Sequence, residues 1–229
     1  AFVACLVIGI QAGSTLNPSP QVHRNDASPA LTENSQRTIL FILTDALDNG
    51  NDQIEGIWLL MYRPNHTHVI LVPLYPATDQ SDRQSLHDQI LGKKFKANDL
   101  PGDAIKTNLE QLKIQWTGYI VVDETGLSEL INWIGREDSG TGPLDGTGLV
   151  KQMVKPWQEV SQSLSDQKNL ADTLCKAISS YASTTDITSM FASLMPDHLH
   201  TDLGLQMVLS DWKSLTNGPE PLSCEINQP

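Results

Sequence analysis

The chain has 229 residues, 39% of them hydrophobic and 18% charged, enough for one large folded domain or two small ones and unlike a disordered chain. Its formal net charge is −12, and a surface this acidic repels phosphate backbones at long range, which argues against nucleic acid as a partner. Three cysteines, Cys5, Cys175 and Cys224, match no zinc-ligand spacing.

Residues 1–12, "AFVACLVIGIQA", are almost all apolar. They are too few to span a bilayer, which takes about 20 residues. They read as the end of a membrane anchor or signal segment, with a short buried element as the alternative. Residues 13–37 are rich in Pro, Ser and Asn, the composition of an extended linker. A single folded domain is expected over 38–217, followed by a tail over 218–229.

The domain opens with "TILFILT" (38–44), an apolar run of strand length. A second strand over 57–64, a turn over 65–68 and a third strand, "VILVPLY" (69–75), read as a hairpin. The third strand is apolar throughout, as a strand buried on both faces would be. It runs into "PATD" (76–79), a strand end without a cation. A polar helix over 81–92 has Ser81 as its cap, and Lys93, Lys94 and Lys96 read as a solvated helix end or loop. Residues 101–114 form an amphipathic helix with Ile105, Leu109 and Leu112 on one face. A strand over 116–124, a helix over 126–135 and a glycine-dense loop over 136–148 follow. Residues 149–182 read as helical with a break near Pro156. A short helix and turn over 184–202, a helix over 203–215 and a coil or edge strand complete the chain. This order argues an α/β fold, a three-layer α/β/α sandwich around a central sheet.

No G-x-S-x-G nucleophile elbow is present. His66 with His68, and His198 with His200, have a spacing that places both rings on one side of a strand, but each pair falls in or beside a turn and reads as exposed or capping. "TDALDNGNDQIEG" (44–56) carries Asp45 at the end of the first strand, with Asp48, Asp52 and Glu55 behind it. Carboxylates gathered at a strand end suit Mg²⁺, which takes one or two of them together with water and substrate phosphate; a solvated acidic loop is the alternative. Cys175 and Cys224 are either a disulfide that closes the C-terminal region or two buried thiols.

The segment order from 38 to 215 resembles the LytR-CpsA-Psr family of bacterial cell-envelope proteins. "ILFILTDA" is similar to the family's opening strand and its aspartate, and "QIEGIWLLMYRPNHTHVILVPLYPATD" to its hairpin. "KIQWTGYIVVDETGLSELINWIG" is similar to its next strand and helix. "PLDGTGLV" and "HTDLGLQMVLSDWKSL" resemble later helix entries. The resemblance implies a mixed sheet between helical layers, outside the membrane and tethered through the N-terminus. It implies a polyprenyl-phosphate lipid or envelope glycopolymer as ligand, Mg²⁺ as cofactor, and transfer of a glycopolymer to peptidoglycan. Carried onto this chain, Asp45 is the catalytic aspartate, Asp45 and Glu55 are the metal ligands, and Lys151 and Lys155 stand near the family's arginine pair. The family's remaining charged site residues are replaced: Leu47 and Gln53 stand for two arginines, and Ala77 and Thr78 for an arginine and an aspartate. Arginine forks grip pyrophosphate bidentately, and each such charge-assisted hydrogen bond is worth about 1.5–3 kcal/mol. The resemblance with these departures implies a degenerate envelope domain. An active Mg²⁺-dependent phosphotransferase with a rebuilt site, and an interaction domain without ligand, are the alternatives.

Overall fold

In a computed structural model the folded unit runs from Asn34 to Pro229. The structure describes residues 35–47, 52–75, 95, 100–134, 172, 175, 185–216 and 220–226. The expected anchor, the linker up to 34, the helix over 81–92, the loop over 136–148 and most of 149–182 lie outside them, as do Lys93, Lys94, Lys96, Lys151, Lys155, Ala77, Thr78 and Asp48. No helix among the described residues is long and apolar enough to cross a membrane.

Six strands form one mixed sheet: β1 (Arg37–Thr44), β2 (Ile54–Tyr62), β3 (His68–Tyr75), β4 (Gly118–Asp123), β5 (Leu199–Thr201) and β6 (Ser223–Ile226), in the order β5-β4-β1-β2-β3-β6. β1 pairs antiparallel with β2 and parallel with β4. β6 joins β3 in parallel at one edge, and β5 joins β4 antiparallel at the other. Helices α1 (Asp103–Gln111), α2 (Glu124–Ile134), α3 (Thr185–Leu194) and α4 (Leu205–Thr216) complete the described elements.

Strand alternation sorts the core into two layers. Leu40 and Ile42 of β1 point to one face, where they join Ile57, Leu59, Val72, Leu74 and Val121 under Ile105 and Leu109 of α1. Phe41 and Leu43 point to the other, with Trp58 and Val122 under Leu127 and Ile131 of α2 and Ile187, Met190 and Leu194 of α3. Both faces are therefore covered, and the architecture is the expected three-layer α/β/α sandwich. Each fully buried leucine or isoleucine here contributes about 1.5–3 kcal/mol relative to exposure.

The apolar third strand carries a proline, which a central strand excludes because it cannot donate to the ladder. The pairing explains Pro73. Among the described residues β6 pairs with β3 only as far as Leu71, and the register shift between Ile57 and Trp58 makes the stretch around Pro73 a bulge. Val72 to Tyr75 are nonetheless all buried.

Two elements differ from the sequence expectation, and in a third the structure decides between its alternatives. β2 starts at Ile54 rather than 57, because it pairs with the last residues of β1 beyond a bulge. Residues 199–201, read as turn, form β5, since three residues are too few to show a periodicity. The tail, read as coil or edge strand, is the edge strand β6, and Cys224 within it is joined to Cys175 by a disulfide with Cα atoms 5.9 Å apart. Cys175 is buried with Val69 and Leu222, so of the two cysteine readings the disulfide is the one found.

At the end of the sheet where β1 begins, Arg37 is buried against Asp211 of α4 (Nε to Oδ2, 3.5 Å), and the Tyr62 hydroxyl donates to the same Oδ2 at 2.7 Å. Burial first, and the hydrogen bond to Asp211 second, raise the Tyr62 phenol, so it stays a donor. This triad ties α4 to β1 and β2.

Candidate functional site

The opposite end of the sheet collects carboxylates. β1 and β4 are parallel, so both finish here, with Thr44 beside Asp123; β2, antiparallel, starts here. Ligand sites of open α/β sheets form beyond such carboxyl ends.

Asp45 is exposed just past β1. Its Oδ1 accepts from the backbone amides of Ala46 (2.9 Å) and Gln53 (2.7 Å), and its own amide donates to the Gln53 carbonyl at 3.1 Å. One oxygen thus closes the loop between β1 and β2, while Oδ2 lies outside these bonds. Gln53, at a position where the resemblance expects arginine, is exposed and holds Asp45 through its backbone. Leu47, at the other, is buried in the core with Leu100 and Ile105. An apolar side chain packed there puts no charge at the strand end. Asp52 is buried, and its backbone exchanges two hydrogen bonds with Phe95.

Glu55 owes its position to a bulge. Leu43 pairs with Gly56 and Thr44 with Ile54, so Glu55 is the extra residue on β2. A bulge re-aims the side chain it releases from the ladder, and bulges are over-represented beside active sites. The glycine next to it makes room for the Trp58 indole: a Cβ at Gly56 would lie 1.9 Å from the ring.

Glu55 is half-buried, and its Oε2 is buried with no hydrogen-bond partner among the described residues. Burial, then the charge of Glu124 at the start of α2, a hydrogen bond to the Glu124 carboxyl and finally the charge of Asp45 push its carboxyl up from 4.5 to about 8. Tyr75, at the end of β3, is raised by burial and then by Glu55, so all of these groups share one region. The structure thus brings Asp45 and Glu55 into electrostatic reach of each other. It adds Glu124, which sequence reasoning missed. Its signal was its place as the first residue after the β4 run.

The donor set suits a hard cation in kind. Mg²⁺ binds through one or two carboxylates and keeps several waters, and an orphaned buried carboxylate oxygen is a ligand to be satisfied. Among the described residues no group of three or more His, Cys, Asp or Glu side chains converges tightly enough to enclose a metal by itself. Such an ion would rest on Glu55 and Asp45, with water completing its shell. The two described arginines, Arg37 and Arg63, belong to the other end of the sheet, where β1 begins and β2 ends.

A second polar pair lies nearby. Asp123, the last residue of β4, is buried. Its Oδ1 accepts from the Gly126 amide (2.7 Å), the N-cap bond of α2, and its Oδ2 lies 2.8 Å from His198 Nδ1. That hydrogen bond raises the imidazole above its usual 6.5 against the opposing effect of burial, with Asp123, Glu129 and Asp197 adding to it electrostatically. His200 lies in β5 opposite Val121, so His198 and His200 share no ligand set. His68 has Nδ1 3.0 Å from Ser223 Oγ and Nε2 3.4 Å from Glu225 on β6, whereas His66 sits in the turn before β3 and donates its amide to the Arg63 carbonyl.

A mixed six-stranded sheet between two helical layers, with carboxylates at the shared ends of β1 and β4, defines a LytR-CpsA-Psr-like fold. Solved structures carry the same fold: TagV of Bacillus subtilis (16% identity, covering 86% of this chain and 85% of that one, TM-score 0.57), TagT bound to LIIa-WTA (14%, 92% and 87%, 0.58), and protein gbs0355 of Streptococcus agalactiae (13%, 85% and 77%, 0.55). No protein-family model matches the sequence, and no curated protein matches it significantly.

Proposed function

We propose that the chain is an extracytoplasmic cell-envelope domain related to glycopolymer-to-peptidoglycan phosphotransferases, catalytically degenerate, that binds a polyprenyl-phosphate-type lipid or glycopolymer at the strand-end site. The fold supports the relationship, and the LIIa-WTA bound by TagT supports a glycopolymer-type ligand. The observation that carries the degenerate reading is the electrostatics at Glu55: burial first, and then Glu124 and Asp45, push its carboxyl up to about 8, and the charges that act on it among the described residues are carboxylates. A site like this repels a pyrophosphate unless a cation intervenes. When bound, Mg²⁺ would neutralise charge on the phosphate. Glu55 and Asp45 would hold it, and Lys151 and Lys155, outside the described residues, are the remaining candidates to contact phosphate.

The test is a thermal-shift titration with undecaprenyl phosphate, with and without Mg²⁺, beside a pyrophosphatase and transfer assay. Stabilisation that requires Mg²⁺ and is lost in Asp45→Ala or Glu55→Gln, without turnover, is the expected result. Mg²⁺-dependent turnover lost in Asp45→Ala would replace degeneracy with an active, rebuilt site. No shift under any condition would leave an interaction domain without this ligand.

A further inference from the structure

On the layer formed by α2 and α3, a groove of about 450 Å³ opens between the two helices, within the roughly 300–1,000 Å³ of small-molecule sites. Helical spacing builds both walls. Glu129, Asn132 and Trp133 lie at i, i+3 and i+4 on α2, and Ser189, Met190 and Ser193 face them from α3. Trp133 is held at an angle by Trp212 of α4, with ring centroids 6.5 Å apart and planes at 52°. The Ser193 hydroxyl donates to the Met190 carbonyl at 2.7 Å, so what it offers the groove is an acceptor oxygen.

The described lining points to the ligand class. Among the described residues it has no lysine or arginine and one carboxylate, Glu129, so a phosphate or other anion is disfavoured there. The Glu129 carboxylate and the Ser193 hydroxyl are exposed beside the apolar surface, and burying them under an acyl chain would cost their hydration without return. No strand edge among the described residues lines the groove, which leaves a peptide no strand there to add to. What remains is a neutral ring with an apolar face and a polar circumference. A pyranose meets this: its axial C–H bonds suit the negative face of an indole, and its hydroxyls suit serine, amide and carboxylate partners at the edges. We infer that the α2–α3 groove binds a neutral saccharide ring stacked on Trp133. The inference does not use the strand-end carboxylates. Glu129 lies five residues, about 7.5 Å along the helix, beyond Glu124, so either reading can fail without the other.

The experiment is a ¹⁵N-resolved NMR titration of the protein with chitotriose and, in parallel, maltotriose. Expected are shifts of the Trp133 indole and of the Asn132 and Ser193 amides, saturating at about millimolar sugar. Ser193→Trp, which fills the groove from an exposed position, should weaken binding at least tenfold with an unchanged melting temperature. Trp133→Ala should do the same, and Ser193→Trp keeps the test valid if removing the packing on Trp212 unfolds that variant. No shift with either sugar up to about 20 mM, or shifts that persist in Ser193→Trp, would overturn the inference. So would shifts of the same residues with decanoate in place of sugar, or with protein concentration alone, which would make the groove an acyl site or a contact between copies.

Discussion

Replacing Glu55 by Gln isolates the strand-end electrostatics. In the unfolded chain Glu55 ionises near 4.5, and in the folded protein near 8. Between these values the unfolded state has released a proton that the folded state keeps, so stability falls as pH rises through the window and levels off above about 8. For a fully buried group a shift of this size would be worth about 5 kcal/mol. Glu55 is only half-buried, and solvent screening reduces its share to about 1–2 kcal/mol. Glu55→Gln has the same shape and no charge to release, so it should lack this slope. Urea unfolding of both proteins from pH 5 to 8.5 checks it: the variant's advantage should be near zero at the acid end and grow to about 1–2 kcal/mol at the alkaline end. Other titrating groups, His198 among them, are common to both proteins and cancel in the difference. Excess Mg²⁺ should reduce the difference, because a cation favours the ionised wild-type carboxylate. A difference that is flat with pH, or that shrinks as pH rises, would refute a Glu55 carboxyl held protonated by burial and by Glu124.

The other expectations concern the frame around the site. Asp123→Ala removes the α2 cap and the His198 partner together and should cost about 2–3 kcal/mol by urea unfolding; in Asp123→Asn the His198 titration followed by NMR should move down toward 6.5. Because the raised His198 value favours the folded state below 6.5 and is lost as pH rises through it, Asp123→Asn should lose less stability above that range than below it. Gly126→Ala places a Cβ 2.7 Å from the His198 carbonyl oxygen and should cost about 1–3 kcal/mol, read as a drop in melting temperature. Asp211→Ala leaves Arg37 buried without its counter-charge and should cost about 3–5 kcal/mol by urea unfolding. Reduction of Cys175–Cys224, which spans 49 residues, should lower stability by about 4 kcal/mol on chain entropy, measured with and without reductant.

Apolar runs made the sheet legible. "TILFILT", "VILVPLY" and "GYIVVD" announce strands because both faces are covered and nearly every position must be apolar. The amphipathic spacing of Ile105 and Leu109 placed α1 correctly. The candidate site was legible only in part. Asp45 and Glu55 were visible as carboxylates around a strand end, but the reason they share a region is a bulge, and a bulge depends on pairing register, which no single strand encodes. The Asp123–His198 pair joins residues 75 apart and rests on β5, a three-residue strand that alternation cannot reveal. Its local signal was there: an aspartate that ends an apolar run, with a glycine three residues later, is a helix cap.

The groups that hold the fold and the groups that furnish the strand end are largely different residues, and this has a physical consequence. The two core layers rest on leucine, isoleucine, valine and tryptophan side chains of the strands and helices. Leu47 at the strand end belongs to one of those layers. Asp45 contributes through a single oxygen that closes a loop, a task asparagine would also perform. Glu55 works against stability at neutral pH, because its burial beside Glu124 opposes ionisation. A strand end arranged this way is not what folding alone requires of Glu55, whereas a cation bound between Glu55 and Asp45 would turn the same arrangement from a cost into a stabilising interaction. The Mg²⁺ dependence of the Glu55→Gln difference therefore reports on function as well as stability: if the ion leaves that difference unchanged, Glu55 and Asp45 serve no metal.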